Sequence, residues 1–202
     1  MGLREDQTPP STLPCSQQND ATSVFKKVEA ALAERRRMRL ACADESILLY
    51  DSARRSVWAK RGSKPRVLVT GSHKRICLFG ALTSNRRHLF RQYPKMNGRV
   101  FTAFLRQLKH RYRRLILLID RAPWHRSKLV KTYLNENRSW LRVIYFPANA
   151  PEMNPVEECW RQMKNDVVGS TFHPTFQQLR NTLTRYMRTK RYKHNPFKYL
   201  RQ

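Results

Sequence analysis

The sequence predicts an α/β fold in which a mixed central sheet is flanked by helices. Three observations carry that expectation. Leu115-Ile-Leu-Leu-Ile119 is an uninterrupted apolar run, as in a strand buried on both faces. Apolar residues recur at helical spacing in five segments on either side of it. Ahead of them lie short β-prone stretches punctuated by Gly62, Pro65 and Gly71.

Taken in order, residues 1 to about 20 read as disordered, with Pro9-Pro10, Pro14 and a Ser/Gln/Asn-rich stretch. Thr22 to Arg37 reads as a short helix with Val24, Phe25, Val28, Ala31 and Leu32 on one face. Arg39 to Asp44 is a mostly apolar strand that ends in an acid, and Ile47 to Tyr50 continues extended. Val57-Trp58, Arg66 to Thr70 and Arg75 to Leu82 give further strand signals. Asn97-Gly98 opens an amphipathic helix carrying Val100, Phe101, Phe104, Leu105, Leu108 and Tyr112. The strand 115–119 stops at Asp120. A helix over Ser127 to Asn135 follows, with Leu129, Val130, Tyr133 and Leu134 inward. Leu141 to Phe146 is another strand, and Pro147, Pro151 and Pro155 mark a rigid loop. Pro155 suits the first turn of a helix bearing Val156, Cys159, Trp160, Met163 and Val167. A last helix spans Thr175 to Arg188, with Phe176, Leu179, Leu183, Tyr186 and Met187 inward. Early antiparallel strands followed by alternating strands and helices suit a ribonuclease-H-like fold. The expected organisation is a disordered segment and linker helix over 1–37, a core domain over 38–170, and a basic helix and tail over 171–202.

A chain of 202 residues makes one domain the default, and 40% hydrophobic residues suffice for a core. No run of about 18 uncharged apolar residues occurs, and Met1 to Pro14 lack a hydrophobic signal core. A cytoplasmic, nucleoid-associated location is expected, with no membrane partner. The four cysteines form no Cys-x-x-Cys pair, which argues against structural zinc; Cys42 and Cys159 read as small core residues. The formal net charge is +27, from 41 Lys+Arg against 14 Asp+Glu. Such an excess calls for a polyanion, and because the charge is spread along the chain, nucleic acid suits it better than a membrane surface.

In so basic a chain the acids are informative. Between Asp51 and Asp120 there is no Asp or Glu, against eighteen Lys and Arg; after Asp166 there is none, against eight. Asp44 and Asp120 are expected at the ends of core strands, and Glu157 in the first turn of a later helix. Ligands of open α/β sheets collect outside the carboxyl ends of the strands, so one rim could gather all three. Three carboxylates on rigid elements are what Mg²⁺ or Mn²⁺ prefers. Two such ions about 4 Å apart support in-line phosphoryl transfer. Each acid taken alone has a structural reading: an aspartate after a strand can cap a helix, and a glutamate in a first turn can complement its dipole.

Three motifs set the acids in a known context. Phe146-Pro-Ala-Asn-Ala-Pro-Glu-Met-Asn-Pro-Val-Glu157, followed by Glu158, Cys159 and Trp160, resembles the proline loop and Asn-Pro-Ile-Glu signature of mariner-like DDE transposases. Asp120-Arg-Ala-Pro-Trp-His125 resembles their strand-terminal Asp-Asn-x-x-x-His, and Ala43-Asp44-Glu45-Ser46 their first Asp-Glu-Ser. Thirty-six residues separate Asp120 from Glu157, as in bacterial insertion-sequence members of the family, and the match covers about Leu40 to Asp166. The resemblance implies a ribonuclease-H-like fold, two divalent metals, cleavage at transposon ends and strand transfer into target DNA. It carries the catalytic and metal-ligand roles onto Asp44, Asp120 and Glu157. Glu45 reads as a neighbour, and Glu158, about 100° round the helix from Glu157, ranks second as a ligand. His125 could contact the scissile phosphate or orient a ligand carboxylate, or simply pack beside Trp124. Asn154 could cap the Glu157 helix through the amide of Val156 or Glu157, and Trp160 reads as core.

Two departures concern single places: Arg121 stands where the family often has Asn and could add a phosphate contact, and Ala148-Asn149-Ala150 replaces a Pro-Tyr-Ser type loop. Arg126 and Lys128 beside Arg121, and Arg185, Arg188, Lys190 and Arg191 in the basic C-terminal segment, are the expected DNA contacts. A third departure is length. Only about 37 residues precede the first core strand, where full members carry helix-turn-helix modules. The expectation is the downstream half of a split transposase, with a separate helix-turn-helix partner, or a truncated remnant. Joining two ends also suggests a homodimer. The rival readings are another ribonuclease-H-like nuclease, and a basic DNA-binding remnant without catalysis.

Overall fold

The alternation and helical spacing read above translate into elements over most of the chain, and the computed structural model describes residues 15–34, 38–51, 60–62, 68–148, 150–169 and 171–192. In chain order these are helix α1 (Cys15–Glu34), strands β1 (Arg39–Leu49), β2 (Arg75–Thr83) and β3 (His88–Tyr93), then helix α2 (Gly98–Arg111). Strand β4 (Leu115–Ile119), helix α3 (Lys128–Glu136), strand β5 (Leu141–Tyr145), helix α4 (Pro155–Val168) and helix α5 (Phe176–Thr189) follow. Short 3₁₀ turns at Pro123–Arg126 and Pro151–Met153 precede α3 and α4. The strands form one sheet in the order β3-β2-β1-β4-β5. β1, β2 and β3 pair antiparallel, and β4 and β5 join in parallel, which is the mixed sheet the sequence predicts.

Strand alternation sorts the core onto two faces. Leu40, Cys42 and Leu48 of β1, with Ile116 and Leu118 of β4, face a core shared with α1, α4 and α5. Ala41 and Ala43 of β1, with Leu115, Leu117 and Ile119 of β4, face α2 and α3. All five residues of β4 are buried, as expected of a central strand with helices on both sides. Val24, Val28 and Ala31 of α1, and Leu179 and Leu183 of α5, belong to the first of these cores, so both terminal helices are tied to the sheet.

Local chemistry explains the helix starts. The Asn97 side chain accepts from the Val100 amide and begins α2. Thr175 and Gln178 form a reciprocal capping box on α5. Pro155 occupies the first turn of α4, where its missing N–H costs nothing.

Several expectations need correcting. α1 begins at Cys15, inside the stretch read as disordered; the apolar stripe of Val24, Val28 and Ala31 nucleates a helix that extends cheaply upstream. β1 does not end at Asp44 but runs on to Leu49, because β2 pairs with it as far as Leu49↔Arg75. The third antiparallel strand is β3, an edge strand whose Arg91 and Gln92 hid it from the apolar pattern. Val57-Trp58 lies outside the described residues, and Leu68 to Thr70 form no strand. Leu129, expected inward, is 48% exposed. No helix among the described residues is long and apolar enough to cross a membrane.

Candidate active site

β1 is longer than β4, and this difference in length makes the site. The two pair in parallel from Arg39↔Leu115 to Cys42↔Leu118. Each chain then runs two residues on, β1 to Asp44 and β4 to Asp120, just past the carboxyl end of β4. Asp44 is therefore mid-strand in β1 yet at the rim of the sheet, the place where open α/β sheets collect ligands.

Asp44 and Glu45 are consecutive strand residues and face opposite sides. Asp44, 9% exposed, turns toward α4, where the indole Nε1–H of buried Trp160 donates to its Oδ2 at 2.8 Å. Gly80 is the cross-strand partner of Asp44. A Cβ there would meet the Trp160 and Phe90 rings at 2.5 Å, so only glycine admits the indole at this point. Burial pushes the Asp44 carboxyl up to about 8, with the Glu157 and Glu45 charges adding to the rise against the bond from Trp160.

Glu45 turns to the other face and meets His125. His125 Nε2 lies 2.7 Å from Glu45 Oε1, and Nδ1 lies 2.8 Å from Asp120 Oδ1. The ring is 1% exposed and lies against Phe101 at a centroid separation of 4.2 Å. Burial alone would lower this imidazole, but the hydrogen bonds and charges of Asp120 and Glu45 outweigh it and push it up to about 9. The cation bridging two carboxylates is thereby favoured.

Asp120 is half exposed. Burial opposes its ionisation, but His125 and the Ala122 amide, which donates to Oδ1 at 3.0 Å, hold its carboxyl below the ordinary value. Both bonds fall on Oδ1, which leaves Oδ2 to meet a cation. Among the described residues, Glu45, Asp120 and His125 are the acid and histidine side chains whose ligand atoms lie within 4.8 Å of one another. Asp44 and Glu157 lie outside that group.

Glu157 occupies the first turn of α4 and is exposed. Asn154 anchors this turn: its Oδ1 accepts from the Val156 amide at 3.2 Å, and its Nδ2 donates to the Ala43 carbonyl at 3.2 Å. The same side chain thus ties the start of α4 to the residue before Asp44. Glu158 points elsewhere and makes a bidentate pair with Arg161, both bonds at 2.7 Å. Arg121, Arg126 and Lys128 are exposed in the segment that follows Asp120, and the Arg121 Nε donates to the Phe146 carbonyl at 3.2 Å. Arg185, Arg188 and Arg191 are exposed on or after α5, while Lys190 pairs with Asp166 at 2.7 Å. The tail beyond Tyr192 lies outside the described residues.

The donor set suits a hard divalent cation. Asp44, Glu45, Asp120 and Glu157 offer carboxylate oxygens, and the Asp44 carboxyl, raised chiefly by burial and then by the Glu157 and Glu45 charges, is one that a cation would hold ionised. Two neighbours of the acids make contacts that the sequence did not announce. Glu45 looked like a bystander, although adjacent acids on a strand must serve opposite faces. Trp160 looked like core alone, although it follows Glu157 by three residues and so shares its side of the helix.

Comparisons with known proteins give the family and the fold. The sequence profile of the DDE superfamily endonucleases matches residues 39–180. A protein of insertion element IS630 from Shigella sonnei, described as an uncharacterized 39 kDa protein, is 29% identical over 136 residues, which cover 65% of this chain. The chain spans 39% of that relative's length. Among solved structures, the Mos1 transposase paired-end complex with left transposon end is similar with a TM-score of 0.64 and 15% identity, over 98% of this chain and 61% of that one. The catalytic domain of Mos1 mariner transposase is similar with a TM-score of 0.59 and 14% identity, over 91% and 86% of the two chains. The mixed sheet and its helices are therefore of the ribonuclease-H-like kind seen there.

Proposed function

Given a chain that belongs to the DDE superfamily endonucleases, we propose that it is the catalytic part of an insertion-sequence transposase, acting on DNA by metal-dependent phosphoryl transfer. The proposed catalytic domain is 38–170, with Asp44, Asp120 and Glu157 as metal ligands and the flanking basic segments as DNA contacts. The observation that carries this reading is the placement of the acids at the sheet rim: Asp44 and Asp120 each lie two residues past the last β1–β4 pair, and Glu157 is close enough to raise Asp44.

Mg²⁺ or Mn²⁺, two ions on this reading, would lower the pKa of a water or 3′-hydroxyl and stabilise charge on the leaving oxygen. The chain's own residues do the rest. His125 and the Ala122 amide fix Asp120 in one rotamer and keep it ionised. Trp160 fixes Asp44, and Asn154 holds the Glu157 turn against β1. The +27 exterior gathers the phosphate backbone that the acidic rim alone would repel. The similar structures include Mos1 complexes with a transposon end, with Mn and with Mg, which supports the same chemistry here.

Strand transfer separates a transposase from another nuclease of this fold. Supplied with pre-cut, 3′-hydroxyl ends of its own element, a supercoiled plasmid and Mg²⁺ or Mn²⁺, the protein should join the ends to the plasmid. A helix-turn-helix half added in trans should raise the yield. Plasmid nicking without any joining, in either condition, would favour the plain nuclease.

Trp160→Phe isolates the indole hydrogen bond, because it keeps the ring in the core and removes one donor. Apparent affinity for Mn²⁺ should fall about 10–100-fold, the usual cost of losing a group that orients a ligand. An unchanged Mn²⁺ titration with a lowered Tm would assign Trp160 to packing alone.

A further inference from the structure

Beside Asp120 the surface carries a feature that the acidic centre does not use. α1 lies against β5, the edge strand of the sheet, and a groove of about 440 Å³ runs between them. Lys27 of α1 forms one wall. Arg142 and Tyr145 of β5 form the other, and Arg121 and Arg126 close the end nearest Asp120. The groove continues along Lys26, Lys27 and Arg142 as a second, more open hollow. Among the described residues, neither lining contains an aspartate or glutamate.

Gathering these cations in one concavity raises a local positive potential, and a concave wall of low dielectric focuses it. Lys27, Arg142, Arg121 and Arg126 are spread along the groove, and from Arg142 to Tyr145 alone the strand advances about 10 Å. A single small anion would leave most of that row unused, whereas a polyanionic strand would engage all of it. Direction matters as well: β5 runs parallel to β4, so the groove rises along the sheet toward the rim where Asp120 stands. Arg121 is the residue directly after Asp120, and its bond to the Phe146 carbonyl holds the guanidinium at that end.

We infer that this groove binds the sugar–phosphate backbone of the DNA strand leading to Asp120, with α1 as a functional wall of the site. The inference rests on the DNA-cleaving role proposed above and extends it to residues beyond the acids. It also gives a purpose to Lys27, which lies outside the segment 39–180 that the family profile matches. α1 then does more than cover the sheet: it supplies a phosphate contact from a part of the chain that the catalytic motifs do not reach.

The test is binding of a labelled 30-base-pair duplex by the full chain, by fluorescence anisotropy without divalent metal, across a salt series. The double variant Lys27→Gln with Arg142→Gln is compared with Arg113→Gln with Arg114→Gln. The second pair is exposed at the amino end of β4, away from Asp120, and changes net charge equally. The groove variant should bind about tenfold more weakly near 0.1 M salt, and its slope of log K against log[salt] should fall by about two, near 0.9 per lost phosphate contact. The control pair should change both much less. Arg142→Lys should restore most of the slope, which separates charge from folding. Equal losses in the two pairs would overturn the groove and show a uniform charge effect. A groove variant with wild-type slope, in a protein that nicks DNA, would overturn the groove and leave the proposed function standing. A wild type that binds no DNA at 50 mM salt would overturn both.

Discussion

Asp44→Asn should abolish metal-dependent nicking and, at the same time, stabilise the metal-free protein at pH 8. The second half follows from the position of Asp44. Its carboxyl is pushed from an ordinary 3.8 up to about 8, chiefly by burial and then by Glu157 and Glu45. The folded protein therefore keeps a proton that the unfolded chain releases above about pH 4. The sign is fixed by linkage: stability from this group is fully present below pH 4 and is lost as the pH rises toward 8. Asparagine carries no charge to bury, and its Oδ1 can still accept from Trp160. Each tenfold difference in proton affinity between the folded and unfolded chain is worth about 1.36 kcal/mol. The variant should therefore gain on the order of 2–5 kcal/mol over wild type at pH 8, and nothing at pH 4. His125, raised to about 9, loses stability in the same direction between about pH 6.5 and 9, so a residual slope should survive in the variant above pH 6.5. Thermal unfolding in EDTA from pH 4 to 9 checks this. A wild type and variant with parallel Tm profiles would show that the fold does not hold a proton on Asp44. In wild type, metal binding should tighten with pH up to about 8, because the cation displaces that proton.

The second large effect belongs to Asp120. Asp120→Asn should cut cleavage by about 10³-fold or more, because it replaces a carboxylate at the centre of the site by a neutral amide. DNA affinity should stay within about twofold, since no basic contact is removed. The fold should survive: asparagine Oδ1 can still accept from the Ala122 amide, and His125 keeps Glu45 as its partner. Equal loss of binding and cleavage, accompanied by a large fall in Tm, would give Asp120 a structural role instead.

The order of elements was legible in the sequence because most of it rests on periodicity. Leu115–Ile119 announced a central strand, and the stripes of α2, α4 and α5 announced their inward faces. β3 was not legible, because an edge strand buries one face partially and tolerates Arg91 and Gln92. Leu129 misled for the opposite reason: an apolar residue in the first turn of α3 counts toward the stripe even where nothing covers it. The three acids were legible through their motifs. What connects them was not, since hydrogen bonds such as Trp160 to Asp44, 116 residues apart, leave no local pattern. The same holds for His125 and Glu45, which meet across 80 residues. Strand alternation could have said that Glu45 faces away from Asp44, but only the fold shows that His125 waits on that side.

The most direct test of the acidic centre is nicking of supercoiled plasmid DNA by the purified protein with Mg²⁺ or Mn²⁺, run beside Asp120→Asn and Glu157→Gln and beside EDTA. The expected result is metal-dependent nicking by the wild type that disappears in both variants, which still bind DNA. Nicking that persists in either variant, or that proceeds in EDTA, would contradict the assignment of Asp44, Asp120 and Glu157 as the metal-holding catalytic set.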